Sequence, residues 1–487
     1  MDLVEMDATA QADLVRSGEA SPEELVEAAI SRIEEVNPQL NAVIHELFEE
    51  GLAEASSPDL PDGPFKGIPF LFKDLGAAYA GQPYHLGMKL LKEAGFRAPV
   101  DTILAERFRA AGFVVIGKTN TPELGILPTT EPEAYGASRN PWNTEHTTGG
   151  SSGGSGAAVA SGMVPVAHAN DGGGSIRIPA SANGLVGLKT TRQRVSEGPL
   201  IGDNMTGLTV ELCVSRTVRD TAAILDAVEG SAPGDPYVAP APARPYVEEL
   251  EADRKLRIGV QAQPPVPGLD SHPECVAAVE GAAKLLESLG HTVEESSPVD
   301  PQVAETLNLE DSFMTRWAAG QAATLEQLGA IVGREITADD VEPLTWALAE
   351  EGRSRSSARY LLDHGLHQLV ARGIAAWFEG GYDLLLTPTM AEPPVPLGTY
   401  DQHVGDPLDA FRRAVPAGAF TAIFNATGQP AISLPLHWSA DGLPVGVQLV
   451  AAFGREDLLI DAAAQLEAAQ PWHDRRPAVF AGEHALR

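Results

Sequence analysis

Two glycine- and serine-rich stretches lie close together in this chain. The first, TTGGSSGGSG at residues 147–156, holds five glycines and three serines in ten positions. The second, NDGGGSIRIP, starts at Asn170 and places Ser175 24 residues after Ser151. Glycines leave backbone N–H groups unshielded and open to unusual φ and ψ, so the N–H groups of Gly172, Gly173 and Gly174 can converge on a developing negative oxygen. A serine that ends such a loop and opens a helix is well placed as a nucleophile. Two other readings compete for the first stretch. A flexible linker should separate two self-sufficient halves, yet this one runs straight into AAVASGMVPVAHAND, which has helix and strand character. A phosphate loop needs GxxxxGK followed by Ser or Thr, or GxGxxG between a strand and a helix. Gly149 to Gly154 lack that lysine, and no acidic ribose partner follows at the right distance.

A serine nucleophile needs a base. His168 lies seven residues before Ser175, but inside a strand-like run, where a buried imidazole with satisfied hydrogen bonds is the more ordinary reading. No GxSxG turn surrounds Ser175 and no HExxH zinc motif occurs. Lys73 is the alternative. It is one of eight lysines and sits in GIPFLFKDL beside Ile68, Phe70, Leu71 and Phe72. Desolvation there lowers the pKa and favours the neutral, basic amine. On spacing alone, a strand-end lysine that pairs with Asp74 or reaches solvent is the favoured reading. Serine–lysine catalysis is an established variant of triad chemistry.

Regular elements must hold these side chains. SPEELVEAAISRIEEVNPQLNAVI predicts a helix, with Ser21 as N-cap, Pro22 at the first helical position and Glu24 closing a capping box. GIPFLFKDL (67–75) predicts a short buried strand, AERFRAAGFVVIGKTN a helix, turn and strand, VPVAHAND (164–171) a strand, and SIRIPASANGLVGL a helix and turn. Residues 231–245, rich in proline and alanine, read as a connector. Beyond it come the strand KLRIGV, the helix ECVAAVEGAAKLLESLG and a mainly helical stretch over about 303–380. The strands YDLLLTP, AISLPLHW and PVGVQLVAAF follow, then the helix EDLLIDAAAQLEAA. Strands alternating with helices predict an α/β sheet covered on both faces. The late strands have no core of their own, so residues 1–487 are expected to form one domain.

Composition narrows the partners. The formal net charge is −33, from 67 acidic and 34 basic residues, and a surface this negative repels nucleic acid and anionic lipid. No apolar run approaches the roughly 20 residues of a membrane span. The acidic, polar start MDLVEMDATAQADLVRSGEA does not read as a signal or transit peptide. Cys213 and Cys275 are far apart, which fits a reducing cytoplasm and no disulfide scaffold. The expectation is a cytoplasmic protein without metal or cofactor.

GIPFLFKDL, TTEPEAYGASRNPWN, GGSSGGSGAAVA, NDGGGSIRIPA and GLVGLKTT occur in order, followed by CVSRTVRD and NATGQPAISLP with DGLPVGVQLVA. Together they resemble the amidase signature family of serine hydrolases over nearly the whole chain. The resemblance implies an α/β/α sandwich on a mixed, twisted sheet. It also implies Ser175 as nucleophile, Ser151 as a bridging serine after a non-proline cis peptide, Lys73 as base, and an oxyanion site within Gly172, Gly173, Gly174 and Ser175. Ser152 and Ser155 are expected to hydrogen-bond around the site, and Asp171 and Arg177 to hold the nucleophile loop. Asn170 departs from the family's frequent threonine, and KTTRQRV replaces its KPTxGRV. Within the family the chain is most similar to the 6-aminohexanoate cyclic-dimer hydrolases, through DATAQADLVRSGE, TTEPEAYGASRNPWN and GREDLL, although Gly172–Gly173–Gly174 stands where that branch has alanines. The implied substrate is a small aliphatic amide, linear or cyclic, which calls for a mostly apolar pocket; Phe313, Met314 and Trp317 in the helical stretch are candidates for its wall, although plain core is the more ordinary reading of such residues. The alternative within the family is the glutamine-hydrolysing component of a tRNA-dependent amidotransferase. A homodimer is entertained as the assembly.

Overall fold

The computed structural model describes residues 3–482 and is built on an 11-stranded sheet. In chain order the strands are β1 (Val43–Glu46), β2 (Pro69–Lys73), β3 (Val114–Thr119), β4 (Arg139–Asn140), β5 (Asn143–Thr147), β6 (Val166–Asp171), β7 (Val186–Lys189), β8 (Val210–Ser215), β9 (Arg257–Val260), β10 (Thr292–Glu295), β11 (Leu384–Pro388), β12 (Ala431–Trp438) and β13 (Pro444–Ala451). β4 and β5 form a separate pair, and the main sheet runs β1-β3-β2-β6-β8-β7-β12-β13-β11-β9-β10. Its middle, from β6 through β8, β7, β12 and β13 to β11, is antiparallel. The parallel pairs β3–β2–β6 and β11–β9–β10 flank it.

Side chains alternate between the two faces of a strand. Every residue of β2, β6, β8 and β13 is buried, so both faces of the sheet are covered. The main core joins sheet residues to the helices Pro22–Leu40, Gly153–Ala160, Val218–Val228, Pro273–Ser288 and Glu456–Ala469. The first of these carries the expected capping box: Ser21 accepts from the Glu24 N–H while the Glu24 carboxylate accepts from the Ser21 N–H. Residues 231–245 contain neither helix nor strand, and the stretch beyond 300 folds into the helices Pro301–Thr306, Leu309–Val332, Pro343–Ser354 and Ser357–Glu379. No helix among the described residues is long and apolar enough to cross a membrane.

The fold brings the two glycine-serine stretches to one edge of the sheet. β2 and β6 are parallel neighbours, so Lys73, the last residue of β2, and Asn170–Asp171, the last two of β6, emerge on the same side. Antiparallel β8 sets Glu211 opposite Asn170. The helices Gly153–Ala160 and Arg177–Asn183 each begin two residues beyond one of the paired serines, Ser151 and Ser175.

Candidate active site

Ser151 reaches its position through a tightly enclosed backbone. A Cβ on Gly150 would lie 2.4 Å from the Thr129 nitrogen and 2.6 Å from the Leu127 oxygen, so no side chain fits there. The Gly150–Ser151 peptide bond is cis. Lys73 Nζ lies 2.6 Å from Ser151 Oγ and donates to Asn170 Oδ1, also at 2.6 Å. The amine is fully buried, and that burial brings its pKa down to about 7 against the opposing charges of Glu211 and Asp171. That direction favours the neutral, basic form of the amine.

The loop before Ser175 is organised by the Asp171 carboxylate. It accepts the N–H groups of Gly174 (2.7 Å) and Ile176 (3.1 Å), and it pairs with Arg177 through Nε (2.9 Å) and Nη2 (3.0 Å). Arg177 reaches on to Thr421 O, Gln448 Oε1 and Asn425 Oδ1. Both charges are fully buried. Burial alone would raise the Asp171 pKa, but the Arg177 charge and hydrogen bonds hold it well below the usual carboxylate range. Gly174 has φ +138°, and a Cβ there would come within 2.5 Å of Thr421 Oγ1. Gly174 enters differently from the sequence expectation, because its N–H is already given to Asp171. Among the described residues, the N–H groups of Gly172, Gly173 and Ser175 meet no acceptor.

The remaining expected residues are structural partners. Ser152 Oγ bonds the backbone of Asn170, and Ser155 Oγ donates to His168 O at 2.7 Å, which stitches the helix Gly153–Ala160 to β6. His168 is fully buried beneath Lys73 and hydrogen-bonded to Glu211. Burial, with Lys73 and Lys118 nearby, holds its pKa well below the ordinary histidine value. Among the described residues, one group of potential metal ligands, His45, Asp74 and His85, has donor atoms within 4.8 Å of one another. Those atoms are already engaged: Lys118 Nζ sits 2.6 Å from Asp74, and the Tyr135 hydroxyl lies 2.5 Å from His85 and 3.3 Å from His45.

Ser175, Gly150 and Gly173 open onto a cavity of about 630 Å³. Its lining is mainly apolar and includes Ile126, Leu127, Phe313, Met314, Trp317 and Phe411, with Glu305, Glu310 and His367 among its polar members. The two lining arginines are occupied. Arg355 pairs with Asp311 and Glu351, and Arg412 with Asp409. Phe313, Met314 and Trp317 line the cavity, against the plain-core reading that the sequence favours for them. The contributions of 125–128 and 408–426 escape sequence reasoning, because loops and short helices there carry no periodic signal. Glu211 escapes it as well, although a lone acid inside LTVELCVS is a signal that could have flagged it.

The Amidase family model matches residues 24–460. The chain is 47% identical over 479 residues to the 6-aminohexanoate-cyclic-dimer hydrolase of Paenarthrobacter ureafaciens and 46% identical over the same length to that of Pseudomonas sp. (strain NK87). Each alignment covers 97% of this chain and 96% of the relative. The solved structure of 6-aminohexanoate cyclic dimer hydrolase superposes with a TM-score of 0.92 at 45% identity, covering 98% of this chain and 99% of that one. A component of the glutamyl-tRNA(Gln) amidotransferase of Thermotoga maritima is a more distant likeness, with a TM-score of 0.77 and 25% identity over 99% of both chains. Likeness this extensive in both sequence and fold leaves one conclusion: the chain belongs to the amidase signature family, whose members hydrolyse amide carbon–nitrogen bonds.

Proposed function

We propose that this protein hydrolyses small, uncharged aliphatic amides, linear or cyclic, with 6-aminohexanoate oligomers and their cyclic dimer as the substrate class. One observation carries the reading: Ser175 opens onto an apolar cavity whose arginines are already paired with carboxylates. Such a pocket favours an uncharged aliphatic spacer and offers no free guanidinium to clamp a substrate carboxylate. The 46–47% identity to 6-aminohexanoate-cyclic-dimer hydrolases supports the same class.

In this scheme neutral Lys73 takes a proton from Ser151, and Ser151 takes one from Ser175 as its oxygen attacks the amide carbonyl. Ser151 can bridge because a hydroxyl donates and accepts at once. The N–H groups of Gly172, Gly173 and Ser175 are the donors available to the tetrahedral oxyanion, and such donors act where charge develops in the transition state. Reversal of the relay protonates the nitrogen as the carbon–nitrogen bond breaks, so the product leaves as an amine. The ester on Ser175 is then attacked by water, whose proton returns along the same path, and the acid is released.

The test is release of primary amine from 6-aminohexanoate cyclic dimer, 6-aminohexanoate linear dimer and glutamine, with products separated by chromatography. Turnover of either dimer above glutamine is expected. Preference for glutamine over both would overturn the substrate assignment and favour an amidotransferase-like activity.

A further inference from the structure

The pocket around Lys73 contains polar groups that the proton relay does not use, and they form a closed circuit. From Lys73 Nζ a 2.6 Å hydrogen bond runs to Asn170 Oδ1. Asn170 Nδ2 donates to Glu211 Oε1 at 3.3 Å, and Glu211 Oε2 lies 2.6 Å from His168 Nε2. His168 Nδ1 accepts the backbone N–H of Lys73 itself at 3.3 Å. That last bond sets the tautomer. With Nδ1 accepting, the neutral imidazole carries its proton on Nε2 and donates it to Glu211. Both Glu211 oxygens thus receive donors, which favours the ionised carboxylate.

Sheet geometry builds this circuit. His168 and Asn170 are two residues apart on β6 and point to one face, and Glu211 on β8 is the register partner of Asn170. Gly76 completes the enclosure, since a Cβ there would come within 2.4 Å of Asn170 Nδ2 and 2.6 Å of Glu211 Oε1.

We propose that Glu211 is a positioning residue: acting through Asn170 and His168, it holds the Lys73 amine against Ser151 and sets the pH at which that amine becomes a base. The proposal rests on Lys73 being the base. Its charge environment singles out Glu211. Asp171, on β6, is neutralised by Arg177 at 2.9 Å, and Lys118, on β3, by Asp74 at 2.6 Å. His168 is held neutral. The Tyr84 hydroxyl is bonded to the backbone of Gly76, and Glu197, which faces Glu211, is bonded to Thr209 and the Asn204 N–H. Glu211 has no arginine or lysine within ion-pair distance among the described residues, so the nearby cation it answers to is Lys73. Burial raises the Glu211 pKa while Lys73, then Asn170, pull it down, so Glu211 and Lys73 titrate as a coupled pair whose charged forms stabilise each other. The same attraction keeps Lys73 from losing its proton at still lower pH.

The experiment is the pH dependence of kcat/KM on the cyclic dimer, joined to NMR titration of ε-13C-lysine in a protein with only eight lysines. Glu211→Gln removes the charge and keeps the shape, so the acidic limb and the Lys73 resonance should move down by about one pH unit or more. Asn170→Asp places a carboxylate directly on Nζ and should move both upward. Opposite shifts in the two variants support the proposal. Should Glu211→Gln fail to fold, Glu211→Asp, which draws the carboxylate back from Asn170 and His168, should move the limb and the Lys73 resonance down by a smaller step, and an unmoved resonance in that variant would overturn the proposal. A limb that stays in place while kcat falls at every pH would mean a merely structural role and overturn it. A wild-type profile with no acidic limb would instead remove Lys73 as base, and the proposal with it.

Discussion

The sheet edge proposed to carry the chemistry is buried and the helical wall of the cavity is partly so, and the two are held in opposite ways. At the edge, each key side chain has several directional bonds: Lys73 two through Nζ, and Asp171 bonds to Gly174, Ile176, Arg177 and Asn425. The wall rests on apolar contact. Phe313 and Trp317 stack with centroids 5.6 Å apart, and Trp317 Nε1 is buried with no hydrogen-bond partner among the described residues. Directional bonds fix reacting groups to the fraction of an ångström that catalysis needs. Apolar packing tolerates substitution at similar volume. In the proposed scheme chemistry and substrate choice sit on different kinds of structure, and substitutions in the two regions should fail differently.

The largest effects belong to the edge. Ser175→Ala should lower kcat by roughly 10⁴-fold or more while leaving circular dichroism and the melting temperature nearly unchanged. Steady-state turnover within tenfold of the parent would remove Ser175 as nucleophile. Lys73→Ala should cost about 10²- to 10⁴-fold, the range of general-base catalysis. In the parent enzyme, activity should rise as pH passes upward through about 7, because in the proposed scheme the neutral amine is the active form and burial lowers its pKa toward that value. A rate that falls across that interval would contradict this sign. Arg177→Met tests the loop support. It strands the buried Asp171 charge, and breaking such a pair costs about 3–5 kcal/mol, readable by urea denaturation. Unchanged stability would show that the loop is held by something else.

Legibility in the sequence follows the same division. β2, β6, β12 and β13 are apolar runs long enough to announce themselves, and the helix at Ser21 carries its own cap. β8 is hard to read as a strand because Glu211 interrupts its apolar run, and β10, at the sheet edge, is too exposed to show a buried pattern. Ser175 stands out because it follows three glycines, whereas Ser151 and Lys73 take their roles from the family resemblance, since spacing alone favours a strand-end lysine paired with Asp74. Asn170 stands out only as a departure from the family pattern. Its bond to Lys73, and the Glu211–His168 pair behind it, depend on strand order β2-β6-β8, which no local spacing encodes. The support from Thr421, Asn425 and Gln448 arrives from about 250 residues away by the same route.

The smallest expected effect tests the wall. Phe313 lines the cavity, stacks on Trp317 at 21° between planes, and lies where a Cβ on Gly173 would meet it at 3.5 Å. It therefore borders both the substrate space and the nucleophile loop, without a hydrogen bond to either. Phe313→Ala should lose apolar contact with the substrate spacer, worth about 1–2 kcal/mol for a partly buried ring. That corresponds to a KM raised roughly 5- to 30-fold, with kcat held within about threefold because Asp171 and Arg177 still fix the loop. Phe313→Leu, which restores much of the volume, should recover most of the affinity. Initial-rate kinetics on the cyclic dimer separate the two parameters. A kcat that collapses while KM stays constant would show that the aromatic stack helps aim Ser175, and the distinction between a hydrogen-bonded catalytic edge and a packed specificity wall would no longer hold.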